Sequence, residues 1–224
     1  MCKEYQDTRN QTVVKKYNSK RNQVECIQIK DNLYIRKTMQ TSQVLDYEQA
    51  VLKQLYYAGV KVPKLLYLNP VQQEIWMEYI EGILLLDWYE TSELSYSTGK
   101  QQVIQQEVNE VIGQWIRWLD SFYRVTKTEH KQKIISDVNF RNFILKDREI
   151  YGIDFELCRE GEIEEDIGKI AAFALMYTPQ NTVFKKYFAN HFVKSSLESW
   201  GLDKDLIVQY YEREIEQMKK RRNY

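Results

Sequence analysis

Two acidic residues and one asparagine stand in loop-forming sequence bordered by short apolar runs. Asp137 and Asn142 lie in Ile135-Ser136-Asp137-Val138-Asn139-Phe140-Arg141-Asn142-Phe143-Ile144-Leu145, and Asp154 lies in Tyr151-Gly152-Ile153-Asp154-Phe155-Glu156. Phosphoryl transfer to a hydroxyl needs this inventory. One carboxylate accepts the proton of the attacking hydroxyl. A second carboxylate and a carboxamide offer oxygen ligands to Mg2+, a hard cation that keeps its other positions for phosphate and water. In that assignment Asp137 is the base, and Asn142 and Asp154 are the metal ligands. Taken singly, Asp137 and Asn142 are ordinary turn residues; the chemical reading rests on their combination with Asp154.

The chain has 224 residues, 43% of them hydrophobic and 29% charged, which is enough apolar matter for a core and excludes a wholly disordered chain. Lys plus Arg is 32 and Asp plus Glu is 32, so the formal net charge is +0. That balance removes the simplest electrostatic case for nucleic-acid binding, which is not expected. Three widely spaced cysteines, Cys2, Cys26 and Cys158, form neither a disulfide framework nor a zinc ligand set. The polar start, Met1-Cys2-Lys3-Glu4-Tyr5, has no apolar signal region. The most apolar runs, Ile83–Leu86 and Ile170–Met176, are far below the ~20 residues of a spanning helix. No membrane association is expected, and a cytoplasmic location is.

The elements that must position these residues follow from periodicity. Val24–Ile29 and Leu33–Lys37 alternate apolar and polar around an Asp31-Asn32 turn signal, which predicts an antiparallel hairpin. Leu45, Val51, Leu52, Leu55 and Tyr56 predict a helix that stops at Gly59, with Pro63 beyond. Leu65–Leu68 and Glu74–Tyr79 read as two further strands separated by Asn69-Pro70. After Gly82, Gln101 to Val125 is a long amphipathic helix. Ile134-Ile135, Phe143–Leu145 and Ile150–Ile153 read as short strands, and helices follow near 166–177, 182–200 and 204–221. The fold class is α+β: an N-terminal antiparallel sheet with one helix (residues 1–80) and a mainly helical C-terminal lobe (residues 81–224) that carries the catalytic and metal loops.

The order of motifs resembles the two-lobed protein-kinase-like fold, and more narrowly the aminoglycoside phosphotransferase and choline kinase group. Asp137-x-x-x-x-Asn142 followed by Ile153-Asp154-Phe155-Glu156 resembles that group's catalytic loop and its I-D-[FW]-E metal motif, and Glu156 points to this branch. The resemblance runs from about Val24 to Met176 and implies further roles. Lys37 would be the lysine that pairs with the phosphates, and Glu48 its helix partner. Gly59-Val60-Lys61-Val62-Pro63 matches the link after that helix. Glu78, Tyr79 and Ile80 fall in the lobe linker, whose backbone would contact adenine. Asp166 matches a buried helix aspartate that supports the catalytic loop. Arg36 competes with Lys37; alternation favours Lys37, which shares a face with Ile35.

The chain also departs from the pattern. Ile135 and Ser136 stand where the group has His and Gly. Asp137 is not preceded by Arg, so control by a phosphorylated activation loop is not expected. Asn18-Ser19-Lys20-Arg21-Asn22-Gln23 contains no glycine where a phosphate loop belongs, so Ser19, Lys20 or Arg21 side chains would do part of that work. The resemblance implies an ATP- and Mg2+-dependent kinase acting on a small-molecule hydroxyl (an aminoglycoside, amino alcohol or sugar), with GTP left open as donor. The alternatives are a small atypical protein kinase, a lipopolysaccharide-sugar kinase or a nucleotide-binding pseudokinase of the same fold. The acidic run Glu160, Glu162, Glu164, Glu165 is a solvated face or draws in a cationic acceptor. Trp88, just past the linker, is a candidate for acceptor contact. The basic run Lys219–Arg222 suits a helix C-terminus, and His130 and His191 match no metal spacing.

Overall fold

The computed structural model describes residues 11–19 and 21–222. Cys2 and Lys20 lie outside the described residues. The chain divides into two compact units. One comprises the described residues up to Glu81 together with Ile153–Glu156; the other comprises Gly82–Gly152 and the chain from Leu157 onward. The segment 153–156, assigned by sequence to the second lobe, packs with the first because Asp154 and Glu156 meet side chains of the N-terminal sheet.

In the first unit, β1 (Gln11–Tyr17), β2 (Gln23–Ile29), β3 (Asn32–Thr38), β4 (Leu65–Asn69) and β5 (Glu74–Glu78) form one sheet in the order β1-β2-β3-β5-β4. Every pairing is antiparallel. The turn between β2 and β3 is Lys30-Asp31, one residue earlier than its sequence signal, with Lys30 left-handed at φ 54°. Helix α1 (Ser42–Tyr57) follows β3, capped by the Thr41 hydroxyl, which accepts from Val44 N. Its buried stripe is Leu45, Glu48, Val51, Leu52 and Leu55, the spacing of one helix face. A carboxylate therefore lies within an apolar stripe, a costly placement that needs a partner.

The second unit contains β6 (Ile83–Leu84), α2 (Leu85–Ser97), α3 (Gln101–Thr126), β7 (Lys133–Ile134), a short 3-10 turn (Phe140–Asn142), β8 (Phe143–Lys146), β9 (Glu149–Gly152), β10 (Arg159–Glu160), α4 (Ile163–Met176), α5 (Val183–Trp200) and α6 (Lys204–Arg222). Two small antiparallel sheets, β6-β8-β9 and β10-β7, frame the loop that carries Asp137. Its core is aromatic. Trp115 of α3 meets Phe140 and Phe143 edge-on, with centroids 5.0 and 4.9 Å away. Those phenylalanines stand on either side of Arg141-Asn142, so burial of hydrophobic rings anchors the loop at both ends. No helix among the described residues is long and apolar enough to cross a membrane.

Helices α4 and α6 pack at the one residue without a side chain. A Cβ at Gly168 would lie 2.7 Å from Ile207 O and 2.8 Å from Tyr211 N, both backbone atoms that cannot rotate away. Gly168→Ala should push the helices apart and cost about 2 kcal/mol, within the range for overpacked interiors. Urea unfolding of the variant checks this; an unchanged midpoint would show that α6 shifts freely.

Candidate active site

The strand register builds the first half of the site. Lys37 stands opposite Val24 on β2 and Ile75 on β5, so it shares the sheet face that also holds Cys26, Ile35 and Met77. Arg36 points to the other face. There it donates to Glu25 at 2.5 and 3.2 Å and lies over the Trp76 ring at 5.5 Å. The register thus separates the two candidate cations.

Lys37 is 3% exposed and Glu48 is 1% exposed. Lys37 Nζ donates to both Glu48 oxygens, at 2.9 and 2.8 Å, and to Asp154 Oδ1 at 3.0 Å. Glu156 Oε2 lies 3.8 Å from the same ammonium. Burial opposes the ammonium, but the Glu48, Asp154 and Glu156 carboxylates outweigh it and hold Lys37 well above the usual lysine range. Burial pushes the Glu48 carboxyl up to about 7 in spite of Lys37. Oxygens of Glu48, Asp154 and Glu156 lie within 4.8 Å of one another. Both Glu48 oxygens face Lys37, which leaves Asp154 and Glu156 as the carboxylates able to take a cation.

The glycine-free loop between β1 and β2 is held by its own side chains. Asn22 N donates to Ser19 Oγ at 3.3 Å, and Asn22, itself buried, donates through Nδ2 to Glu156 Oε2. Arg21 Nη1 lies 3.8 Å from Glu156 Oε1. Glu78 ends β5; its N–H donates to Lys64 O at 2.9 Å. Tyr79, half-buried, and Ile80, buried, continue past the strand.

The other sequence candidates lie in the second unit. Asp166 of α4 is fully buried and accepts three hydrogen bonds: from Ile135 N at 2.8 Å, Ser136 N at 2.9 Å and Tyr123 Oη at 3.0 Å. Burial raises its carboxyl to about 6, and those three donors temper the rise. Its two oxygens accept only from donors, and it fixes the backbone just before Asp137. Ser136 is left-handed at φ 67°, the conformation that glycine adopts without strain. Asn142 Nδ2 donates to Asp137 O at 2.9 Å. That bond fixes the carboxamide and leaves its Oδ1 as an oxygen ligand. Among the described residues, the Asp137 carboxylate receives one long bond, 3.4 Å from Asn139 N. A carboxylate so lightly engaged is available to an incoming hydroxyl.

Within the first unit, Asp154 and Glu156 offer hard carboxylate oxygens, the donor type that suits a hard cation such as Mg2+. The acidic run, in contrast, is engaged internally. Glu160 pairs with Lys131 at 2.8 Å, Glu162 accepts from Tyr210 Oη at 2.8 Å, Glu164 accepts from Asp203 N at 3.2 Å, and Glu165 pairs with Lys169 at 2.7 Å. Its members hold the α4 region together, which favours the structural reading of the run over recruitment of a cationic acceptor. Trp88 is half-buried on α2, His130 is exposed, and His191 stacks on Tyr187 at 6.0 Å.

No family model matches the chain, and no curated protein matches its sequence. Among solved structures, 733 chains match. One of them is the amicoumacin kinase hAmiN in complex with AMP-PNP, Ca2+ and Ami, with a TM-score of 0.57 and 16% identity, over 91% of this chain and 77% of that one. The fold is protein-kinase-like. At this level of identity the likeness concerns the fold alone, and the α+β arrangement expected from the motifs is present: an N-terminal antiparallel sheet with one helix, and a mainly helical remainder.

Sequence reasoning gave no role to Asn22, Asn139, Tyr177 or Lys185. Asn22 and Asn139 look like turn residues. Tyr177 and Lys185 sit in a helical pattern where a buried polar group has no local signal, because its partners are remote in sequence.

Proposed function

We propose that this chain transfers the γ-phosphoryl group of ATP to a hydroxyl of a small molecule. The observation that carries the reading is the buried Lys37–Glu48 pair with Asp154 on the same ammonium. A lysine held charged in a buried site, next to carboxylates, is suited to a polyphosphate and its counter-ion. In this reading Lys37, oriented by Glu48, pairs with the α- and β-phosphates, and Arg21 and Ser19 supplement the missing glycine contacts. The backbone of Glu78, Tyr79 and Ile80 faces adenine, with the Glu78 N–H already committed to Lys64. Asn142 and Asp154 would hold Mg2+, with Glu156 as a further oxygen donor, and the ion would supply neutralisation of phosphate charge. Asp137 orients the acceptor hydroxyl and takes its proton as the new O–P bond forms and the bond to the leaving ADP breaks. Most of the acceleration comes from positioning and charge, not from covalent catalysis.

The test is in two steps. ATP with Mg2+ at a hundred times its Kd should raise stability by ~2.7 kcal/mol, a melting shift of about 5–10 °C for a chain of this size. ADP release is then followed with kanamycin, choline, simple sugars, casein, and amicoumacin, after which the structural neighbour is named. Turnover with one small acceptor supports the proposal. Turnover with casein alone would favour the protein-kinase reading. A shift without turnover would favour the pseudokinase, a reading motivated by the glycine-free loop tied down by Glu156. No shift with ATP or GTP would remove the proposal.

A further inference from the structure

Lys185 is 0% exposed, in the first turns of α5. An ammonium has three protons and no acceptor capacity, so complete burial needs three acceptors. It has them. Nζ donates to Tyr177 O at 2.8 Å and Pro179 O at 2.7 Å, and lies 3.1 Å from Glu93 Oε2 of α2. The Tyr89 ring lies 5.9 Å away. Tyr177 closes the C-terminal end of α4, where carbonyls lack helical partners and the helix dipole favours a cation. Ala174 O there accepts from Tyr89 Oη at 2.9 Å, and Leu175 O accepts from Asn181 N at 3.0 Å. Glu93 in turn accepts from the Thr182 hydroxyl, the N-cap of α5. One buried charge pair therefore fixes the end of α4, the connection 177–182 and the start of α5.

The side chain that emerges from this clasp reaches the Asp137 loop. Tyr177 Oη accepts from Phe140 N at 3.2 Å and donates to Asn139 Oδ1 at 3.2 Å. Phe140 N is the first N–H of a 3-10 turn and has no partner within it. Asn139 Oδ1 also accepts from Arg141 N at 3.0 Å, so its orientation is set from both sides. The Tyr177 ring meets Phe140 edge-on at 5.2 Å. One hydroxyl thus pins the two residues midway between Asp137 and Asn142.

We propose that Tyr177, held by the buried Lys185–Glu93 pair, is a positioning residue that fixes the geometry of the loop between Asp137 and Asn142. As far as turnover is concerned, this rests on the phosphotransferase reading; the loop restraint itself does not. Tyr177→Phe keeps the ring and removes the hydroxyl. Amide hydrogen exchange at Phe140 should accelerate at least tenfold, while exchange in the α5 helix stays unchanged. Turnover should fall about tenfold or more, with KM for ATP within twofold of the parent. Tyr187→Phe, which removes a hydroxyl of α5 that donates to Asn109 Oδ1 at 2.7 Å, away from the loop, should change neither. Lys185→Met should also release the Phe140 amide; if that variant does not fold, Glu93→Gln is read in its place. Unchanged Phe140 exchange in Tyr177→Phe overturns the proposal, as does a KM effect without a kcat effect. Release of Phe140 by Tyr177→Phe alone would overturn the role of Lys185. A parent protein that neither binds nor turns over ATP while Phe140 responds as stated would count against the phosphotransferase reading instead, because the exchange readout needs no nucleotide.

Discussion

Asp137→Asn is expected to lower turnover about 10³-fold, the scale of a lost general base, with the melting temperature unchanged within about 2 °C. The two halves of this expectation have separate causes. Among the described residues the side-chain carboxylate accepts a single 3.4 Å bond, so its charge contributes little to the fold. The group that holds the loop is the backbone carbonyl of Asp137, which accepts from Asn142, and the substitution leaves it in place. Asp166 continues to fix Ile135 and Ser136 from below. Loss of activity therefore cannot be blamed on a collapsed loop. Asp154→Asn should lose comparable activity for another reason, since it removes the oxygen charge assigned in the proposal to Mg2+ and a partner of Lys37. Titrating Mg2+ separates them: the Asp154 variant should need more metal and the Asp137 variant should not. Near-normal turnover in either would refute its assigned role.

The sheet and α1 were legible because one face of each meets water. Alternation in β2 and β3 fixed the register that puts Lys37 and Arg36 on opposite faces, and that decided between them. β1 was not legible. Its residues between Gln11 and Tyr17 are exposed, so no buried face imprints a period on the sequence. Helix α2 was missed for the opposite reason. Its buried stripe is Leu85, Leu86, Tyr89, Ser92, Glu93 and Tyr96, helical in spacing but interrupted by two polar residues. Glu93 is buried because Lys185 reaches it from α5, and a charge pair between helices far apart in sequence leaves no local pattern. The same limit hid Tyr177. The two-residue strands β6, β7 and β10 are too short to show any period. Residue type and spacing, in contrast, singled out Asp137, Asn142 and Asp154 as candidates, since loop chemistry constrains residue type at fixed separations, and the family resemblance added Asp166.

Lys37→Met should separate what the buried pair does for stability from what it does for chemistry. In the parent, burial pushes the Glu48 carboxyl up to about 7, above the usual glutamate value it has in the unfolded chain. The folded state therefore retains a proton that the unfolded state has lost, and the contribution of Glu48 to stability falls as pH rises through that window. Removing Lys37 takes away the cation that opposed the rise, so the window extends further upward. Breaking one side of a buried pair typically costs 3–5 kcal/mol. Here that loss should be smaller at pH 6, where a proton can neutralise Glu48, than at pH 8.5, where Glu48 must either keep that proton against the solution or ionise beside Asp154 and Glu156 without a counter-ion. Urea midpoints at the two pH values measure the difference, and equal losses at both would contradict the pairing. Lys37→Met combined with Glu48→Gln removes the unpaired charge as well, so stability at pH 8.5 should recover by more than half of the single-variant loss. Turnover should not recover, because no cation remains for the phosphates. A double variant that regained activity with its stability would show that the pair holds the fold and takes no part in the reaction.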